Sequence, residues 1–174
     1  MNIGLKGKTG CGKTLLMMRH VLYYLGHGYQ PDEVWTTVRM NVPGVHFLRV
    51  AEVIPFLNKM ISADMSHLVV ALDEAERFFP ERGYWDKEQS KAVETFWQER
   101  KMFLKFLWSA HKGRAVDKIL RDSTHIEIIP RYEKEQDLIV AGILHLDDEE
   151  IEYPVIYEHI SRVFPWYQSW ELVR

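Results

Sequence analysis

The sequence contains a single cysteine, Cys11, among its 174 residues. A lone cysteine excludes an internal disulfide and favours a reducing compartment. The eight histidines lack the short spacings of metal ligands and have no cysteine partners, so we predict no zinc site. No stretch approaches the roughly 18 apolar residues of a membrane-spanning helix, and no charged-then-apolar signal segment opens the chain. We therefore expect a soluble protein of the cytoplasm.

The sequence also has little excess of one charge over the other, because 22 Lys and Arg residues are balanced by 25 Asp and Glu residues and leave a net charge of −3. Such a balance gives no overall attraction to nucleic acid, so any DNA contact must come from a local patch. A local surplus lies in residues 100–121, and we expect it to contact DNA or another subunit. The alternative is a solvated helix face, which is the usual explanation of a charge run. Its basic residues are Arg100, Lys101, Lys105, Lys112, Arg114, Lys118 and Arg121.

What the sequence does contain is a phosphate-binding loop. Residues 7–14 fit the P-loop pattern G-x-x-x-x-G-K-[ST] without mismatch. The glycines let successive backbone N–H groups point at phosphate oxygens. Lys13 would reach the β- and γ-phosphates as a catalytic charge, and the Thr14 hydroxyl would bind Mg²⁺. The predicted ATP-binding residues are Gly7, Lys8, Thr9, Gly10, Cys11, Gly12, Lys13 and Thr14.

The segments on both sides of this loop have the expected character. Residues 1–6 contain a short apolar alternation that predicts a strand. Residues 15–25 carry apolar side chains at helical spacing, and Gly26 is a suitable stop. The positive amino end of this helix would lie under the phosphates.

A second motif follows a predicted buried strand over residues 67–72, whose apolar run is typical of a parallel sheet. Asp73 and Glu74 come directly after it, which is the Walker B pattern. Asp73 would hold Mg²⁺ through its water shell, and Glu74 would polarise the attacking water. The alternative is an acidic N-cap for a helix over 75–79. The P-loop upstream favours Walker B, because ligands of open α/β sheets gather at strand carboxyl ends.

The remaining periodicities predict an alternation of strands and helices followed by strands alone. The predicted strands cover 33–40, 45–49, 103–110, 125–132, 138–146 and 151–157. The predicted helices cover 51–60, interrupted early by Pro55, and 87–103 and 111–122.

An arginine from a neighbouring subunit is the third expected catalytic group. Arg100 lies on the apolar stripe of the predicted helix over 87–103, where its stem could pack on the core or its charge could reach another subunit's phosphates. Further candidates are Arg82, Arg114 and Arg121.

Two polar residues lie at the carboxyl end of the predicted strand over 103–110, one inside it and one just beyond it. Ser109 and His111 stand where P-loop motors keep a sensor of the γ-phosphate. Either residue could also be an ordinary turn residue, and the sequence leaves both interpretations open.

Several segments together resemble one family. They are residues 7–14 with the following Leu-Leu-Met, residues 72–80 (Leu-Asp-Glu-Ala-Glu-Arg-Phe-Phe-Pro), residues 108–119 and the aromatic stretch 164–171. They are similar to the zonula-occludens-toxin-like ATPases, the family of the filamentous-phage assembly protein, which is related to the FtsK/HerA group of DNA-pumping and virus-packaging ATPases. The resemblance implies a RecA-like core, a ring with ATP at subunit junctions, and a role in moving phage or viral DNA.

The chain departs from this family in two respects. Members that assemble filamentous phage carry a transmembrane helix after the ATPase domain, and this sequence has none, so export through a membrane would require an anchor from a second protein or from a longer chain. FtsK/HerA relatives often place glutamine at the end of the sensor strand, where this chain has Ser109 and His111. If the protein is viral, its cytoplasm is that of the host.

The motifs and periodicities predict an α/β fold with a mostly parallel sheet flanked by helices and a C-terminal antiparallel β extension, and the resemblance implies that it is of the RecA-like (ASCE) P-loop NTPase class. We expect one domain over 1–174, with a core over about 1–124 and the extension and aromatic tail over about 125–174. The expected cofactors are ATP and Mg²⁺, and the expected partners are copies of the same chain, DNA, and phage or viral assembly proteins.

Three functions compete. The first is an oligomeric ATPase motor for DNA packaging or phage assembly, and Glu74 favours it because a hydrolase must activate water. The second is a small-molecule kinase, although the sequence shows no arginine-rich lid to exclude water. The third is a protein that binds ATP only to assemble a complex. A GTPase is disfavoured, because residues 58–61 begin like the guanine-reading Asn-Lys-x-Asp but lack the aspartate.

Overall fold

The computed structural model describes residues 1–63, 65–80, 92, 104–111 and 116–167. Within these residues, eight strands form one sheet. The strands are β1 (Asn2–Lys6), β2 (Val34–Thr36), β3 (His46–Phe47), β4 (Val69–Leu72), β5 (Lys105–Ala110), β6 (Ile126–Glu133), β7 (Leu138–His145) and β8 (Glu150–Glu158). The α-helices are α1 (Lys13–Leu25), α2 (Val53–Ser62) and α3 (Lys118–Asp122). Short 3₁₀ helices cover Pro31–Glu33, Val50–Glu52, Ala75–Arg77, Lys134–Gln136 and Ile160–Trp166.

The strand order is β3-β2-β4-β5-β1-β6-β7-β8. The first six strands in this order pair in parallel, and β7 and β8 extend the sheet as antiparallel strands. The parallel arrangement agrees with β4, whose four residues are all buried, as expected for a strand covered on both faces. The predicted α/β fold, mostly parallel with an antiparallel extension, is confirmed. One edge of the sheet therefore collects the carboxyl ends of β1, β4 and β5.

Each face of the sheet carries its own apolar cluster. On one face α1 packs on the sheet through fully buried residues such as Leu16 and Val21, with Leu5 of β1 beneath them. On the other face α2 and α3 pack on the sheet through residues such as Leu57 and Leu120. The strand that leads to the P-loop is thus buried between two layers of helices, which fixes the position of the loop.

Close packing between β1 and β5 explains one glycine inside a strand. A Cβ atom on Gly4 would lie 2.5 Å from the ring of Trp108, which is fully buried in β5. The Trp108 indole N–H donates to the Thr124 hydroxyl over 3.2 Å, so the ring is held in place. Any side chain at Gly4 would displace the ring or the strand.

Several predicted elements are corrected. The predicted helix over 111–122 is wrong at its start, because Val116 forms a β-bridge with Pro80 and Asp117 caps α3, accepting from the Ile119 N–H over 2.6 Å. The predicted helix over 75–79 is a single 3₁₀ turn, Ala75–Arg77. Pro55 does not interrupt a helix, since it lies in the first turn of α2, where a missing N–H is tolerated.

Two other expectations concern parts of the chain that the structure describes only in part. Apart from Ala92, which is buried in the core, the predicted helix over 87–103 lies outside the described residues. Among the helices in the described part of the chain, none is long and apolar enough to cross a membrane.

Candidate nucleotide site

The phosphate loop adopts the backbone that its glycines allow. Gly10 and Gly12 have φ of 78° and 92°, a left-handed region that other residues adopt only at a cost. Gly12 is the N-cap of α1, and its carbonyl accepts from the Leu16 N–H over 2.9 Å. Helix α1 therefore begins directly after the loop and directs its unpaired N–H groups at the concavity.

The Lys13 side chain folds back over the loop. Its ammonium group donates to the carbonyls of Gly7 and Lys8, each over 2.9 Å. Only 7% of the residue is exposed, so the charge is held inside the loop rather than in solvent. A lysine in this position can exchange carbonyl contacts for phosphate oxygens with a small movement.

The ends of β4 and β5 and the start of α1 meet at Asp73. The Thr14 hydroxyl donates to one carboxylate oxygen of Asp73 over 2.9 Å, and the Ser109 hydroxyl donates to the other. The structure thus brings together residues that are 59 and 36 positions apart in the chain. The hydroxyl of Thr14 and the carboxylate of Asp73 are hard oxygen donors, the set that Mg²⁺ prefers, so these residues fit the ion.

Glu74 leaves the end of β4 in a strained conformation. Its φ and ψ are 54° and 55°, in the left-handed region that costs a non-glycine residue about 1–3 kcal/mol. Its backbone N–H donates to the Ser109 hydroxyl over 3.1 Å. Within the described part of the chain its carboxylate makes no capping hydrogen bond, and it pairs with Arg77 Nε at 2.8 Å. The side chain thus serves no helix cap and stays 37% exposed at the carboxyl edge.

The sequence analysis missed Thr37. Its hydroxyl accepts from the Asp73 N–H over 2.8 Å, and its own N–H donates to the Ala71 carbonyl over 3.0 Å. Because β2 and β4 are parallel neighbours, the residue after β2 lies beside the residue after β4. The predicted strand over 33–40 placed Thr37 in mid-strand, whereas β2 ends at Thr36. Knowledge of strand order would have identified it.

The two sensor candidates have different surroundings. Ser109 is fully buried and contacts both Asp73 and Glu74. His111 instead pairs with Glu76, with its Nδ1 2.7 Å from Oε1 and its backbone N–H donating to the same oxygen over 3.2 Å. Ser109 is therefore the residue of this pair that lies in the Asp73 network.

The arginine candidates are placed only in part. Arg82, Arg100 and Arg114 lie outside the described residues, so their catalytic role stays a prediction. Arg121 lies in α3, and Ser123, just beyond this helix, accepts from the side-chain amide of Asn2 over 2.9 Å. Asn2 is the first residue of β1, whereas the P-loop follows the last. This end of α3 therefore lies near the amino end of β1, away from the P-loop.

Comparisons with known proteins find likeness of fold without likeness of sequence. No protein-family model matches the sequence, and no curated protein sequence matches it. The chain is similar to the crystal structure of the N-terminal domain of zonular occludens toxin from Neisseria meningitidis, with 13% identity, a TM-score of 0.70 and coverage of 96% of this chain and 98% of that one.

Two further structures have the same fold. The genome packaging NTPase B204 from Sulfolobus turreted icosahedral virus 2, in complex with ATP-gammaS, matches with 13% identity and a TM-score of 0.59, covering 90% of this chain and 96% of that one. The flagellar accessory protein FlaH from Methanocaldococcus jannaschii matches with 10% identity and a TM-score of 0.61, covering 90% and 84%. The predicted RecA-like P-loop NTPase fold, and the resemblance to the zonula-occludens-toxin-like proteins, are confirmed as a likeness of fold.

Proposed function

We propose that this chain is an ATPase that hydrolyses ATP at the carboxyl edge of its sheet. The observation that carries the proposal is the contact between Thr14, at the start of α1, and Asp73, at the end of β4, with Glu74 next in the chain. A phosphate loop, an oxygen donor set that fits Mg²⁺ and a carboxylate for water thus lie at one edge. The genome packaging NTPase of the same fold was solved with an ATP analogue, which supports ATP as the ligand.

The chemistry assigns each residue a task. The backbone N–H groups of residues 7–14 and the Lys13 ammonium would hold the phosphates, and Mg²⁺, when bound near Thr14 and Asp73, would offset the charge on the β- and γ-phosphates. Glu74 would take a proton from the attacking water, whose oxygen forms a bond to the γ-phosphorus. The bond from that phosphorus to the bridging oxygen breaks, and its electron pair leaves with ADP.

The proposed biological setting is an oligomeric motor that moves or packages phage or viral DNA. The toxin-domain likeness and the packaging-NTPase likeness support it, and residues 100–121 supply the basic surplus for DNA. In that setting residues 1–174 act as one domain in the cytoplasm, copies of the chain form a ring, and assembly proteins are further partners. A neighbouring copy would donate an arginine, with Arg100 first among the candidates.

One assay separates the three functions set out from the sequence. Phosphate release from Mg·ATP is measured with and without double-stranded DNA, in parallel with phosphorylation of small-molecule acceptors. The motor predicts phosphate release that DNA stimulates. Transfer to an acceptor would show a kinase, and ATP binding with neither product would show a nucleotide-gated assembly protein.

A mixing experiment tests the ring. A Lys13→Ala subunit mixed with an Arg100→Ala subunit should regain activity that neither has alone, because one junction in the mixture combines an intact loop with an intact arginine. Specific activity should also rise with protein concentration. Activity strictly proportional to concentration, with no rescue for Arg100, Arg82, Arg114 or Arg121, would contradict the ring.

A further inference from the structure

We infer that the antiparallel extension supplies the nucleobase site, with the ring of Tyr132 stacking on the base as an aromatic wall and the fully buried Ile139 packed beside Tyr132 as its cross-strand neighbour. The inference rests on the proposed ATP site and goes beyond it, because it assigns a function to the extension. The ligand class is a flat purine base attached to the phosphates in the loop.

The order of strands places the extension on the free side of the loop. Strands β4 and β5, which bring Asp73 and Ser109, lie on one side of β1, and β6 and β7 lie on the other. If Asp73 and Glu74 serve the γ-phosphate, the rest of the nucleotide must extend away from them. The side of the loop away from β4 and β5 is flanked by the carboxyl end of β6 and the start of β7.

The extension touches the loop directly. A Cβ atom on Gly12 would lie 2.9 Å from Cδ1 of Ile139 and 3.2 Å from Cβ of Tyr132. Tyr132 and Ile139 are paired directly opposite each other in the β6–β7 ladder, so their side chains share one face of the sheet. Tyr132 is half-buried and packs against the apolar cluster beneath α1, so part of the residue remains accessible beside the loop.

The turn that carries this wall is fixed in place. Asp137, between β6 and β7, accepts from both the N–H and the hydroxyl of Ser161, each over 2.7 Å. These bonds tie the turn to the last 3₁₀ helix, so the wall needs little ordering when a ligand binds. Burial and the nearby Asp137 carboxylate raise the pKa of Tyr132 above its usual range, which keeps the ring uncharged beside an anionic ligand.

The test compares a ligand that has a base with one that has none. Dissociation constants for Mg·ATP, Mg·GTP and Mg·tripolyphosphate are measured by calorimetry for the parent chain and for Tyr132→Ala, Tyr132→Leu and Tyr132→Phe. Leucine keeps an apolar contact with the loop but lacks a flat ring, and melting temperatures check folding. Tyr23→Ala is the matched control, because Tyr23 is exposed near the far end of α1.

The expected result is a loss that depends on the base. Stacking of one base on an aromatic side chain is worth about 1–3 kcal/mol, so the alanine and leucine variants should bind ATP and GTP at least about fivefold more weakly. Tripolyphosphate binding should stay within about twofold, and Tyr132→Phe and Tyr23→Ala should resemble the parent chain.

Other results would distinguish a failure of the base site from a failure of the proposed ATPase. Equal losses for ATP and tripolyphosphate, or no loss for ATP, would overturn the base site while the phosphate site stands. Tripolyphosphate that binds the parent chain as tightly as ATP would do the same. A parent chain that binds neither ligand would overturn the proposed ATPase itself, and the base site with it.

Discussion

Two regions near opposite ends of α1 differ in how their buried polar groups are paired. At the carboxyl edge of the sheet, both oxygens of Asp73 and the N–H groups of Asp73 and Glu74 have hydroxyl partners. Towards the amino edge, the buried Nε2 atoms of His20 and His145 have no hydrogen-bond partner among the described residues. Glu152 lies 3.6 Å from the second of these, beyond hydrogen-bond distance.

These two histidines line a cavity of about 250 Å³ between α1 and the sheet. Four isoleucines of β1, β6 and β7 also line it, and the His20 ring packs edge-on against Tyr157 at 6.2 Å. Burial and, to a lesser extent, the charge of Arg19 lower the pKa of His20 to about 4. His20 is therefore a neutral packing group at neutral pH, whereas polar groups at the other edge form a connected network that is suited to chemistry.

The largest expected effect comes from removing the proposed base, Glu74. Glu74→Gln keeps the size and polarity of the side chain but removes the base, so ATP should bind normally while turnover falls by about 10²–10⁴-fold. Loss of the exposed pair with Arg77 should hardly change stability. Steady-state phosphate release and ATP titration measure the two effects, and turnover near the parent rate would place water activation elsewhere.

The next effect concerns the cavity and depends on pH. Because the folded pKa of His20 lies near 4 and the unfolded value near 6.5, only the unfolded chain takes up this proton between those pH values. The free energy of unfolding should therefore fall as pH drops from 6.5 to 4, with a loss of about 3 kcal/mol complete below pH 4.

Urea unfolding at a series of pH values, for the parent chain and two variants, checks this loss. His20→Leu should remove most of the decline, whereas His27→Leu, at an exposed histidine just after α1, should follow the parent chain. A His20→Leu profile parallel to that of the parent would show that His20 is not the group that titrates.

The smallest expected effect comes from removing the hydroxyl of Thr37, which accepts from the Asp73 N–H. Thr37→Val keeps the shape of the side chain but leaves the Asp73 N–H without its hydroxyl, which should cost about 1–2 kcal/mol and lower turnover by roughly tenfold. Thr37→Ser keeps the hydroxyl and serves as the control. Equal turnover in Thr37→Val and the parent chain would show that Asp73 is held without Thr37.

The sequence was sufficient for features that depend on local pattern. The P-loop needs fixed glycines, and a strand buried on both faces needs an apolar run, so residues 7–14 and β4 were both recognisable. The antiparallel extension was predicted for the same reason, since β6 begins with an apolar-polar alternation and β7 is an almost unbroken apolar run.

Features that depend on strand order could not be predicted in this way. Thr37 reaches Asp73 only because β2 neighbours β4, and Tyr132 reaches the loop only because β6 neighbours β1. The helix over 111–122 failed because a tertiary bridge from Val116 to Pro80 overrides local helical periodicity.

The central claim is that the carboxyl edge binds Mg·ATP through its phosphate loop, and one titration tests it most directly. The dissociation constant for Mg·ATP is compared between the parent chain, Lys13→Ala, and Lys118→Ala, which removes an exposed charge at the start of α3. Loss of charge-assisted bonds from Lys13 should weaken binding by about 10²-fold, with Lys118→Ala and the melting temperatures unchanged. Equal affinity of Lys13→Ala and the parent chain would contradict the account.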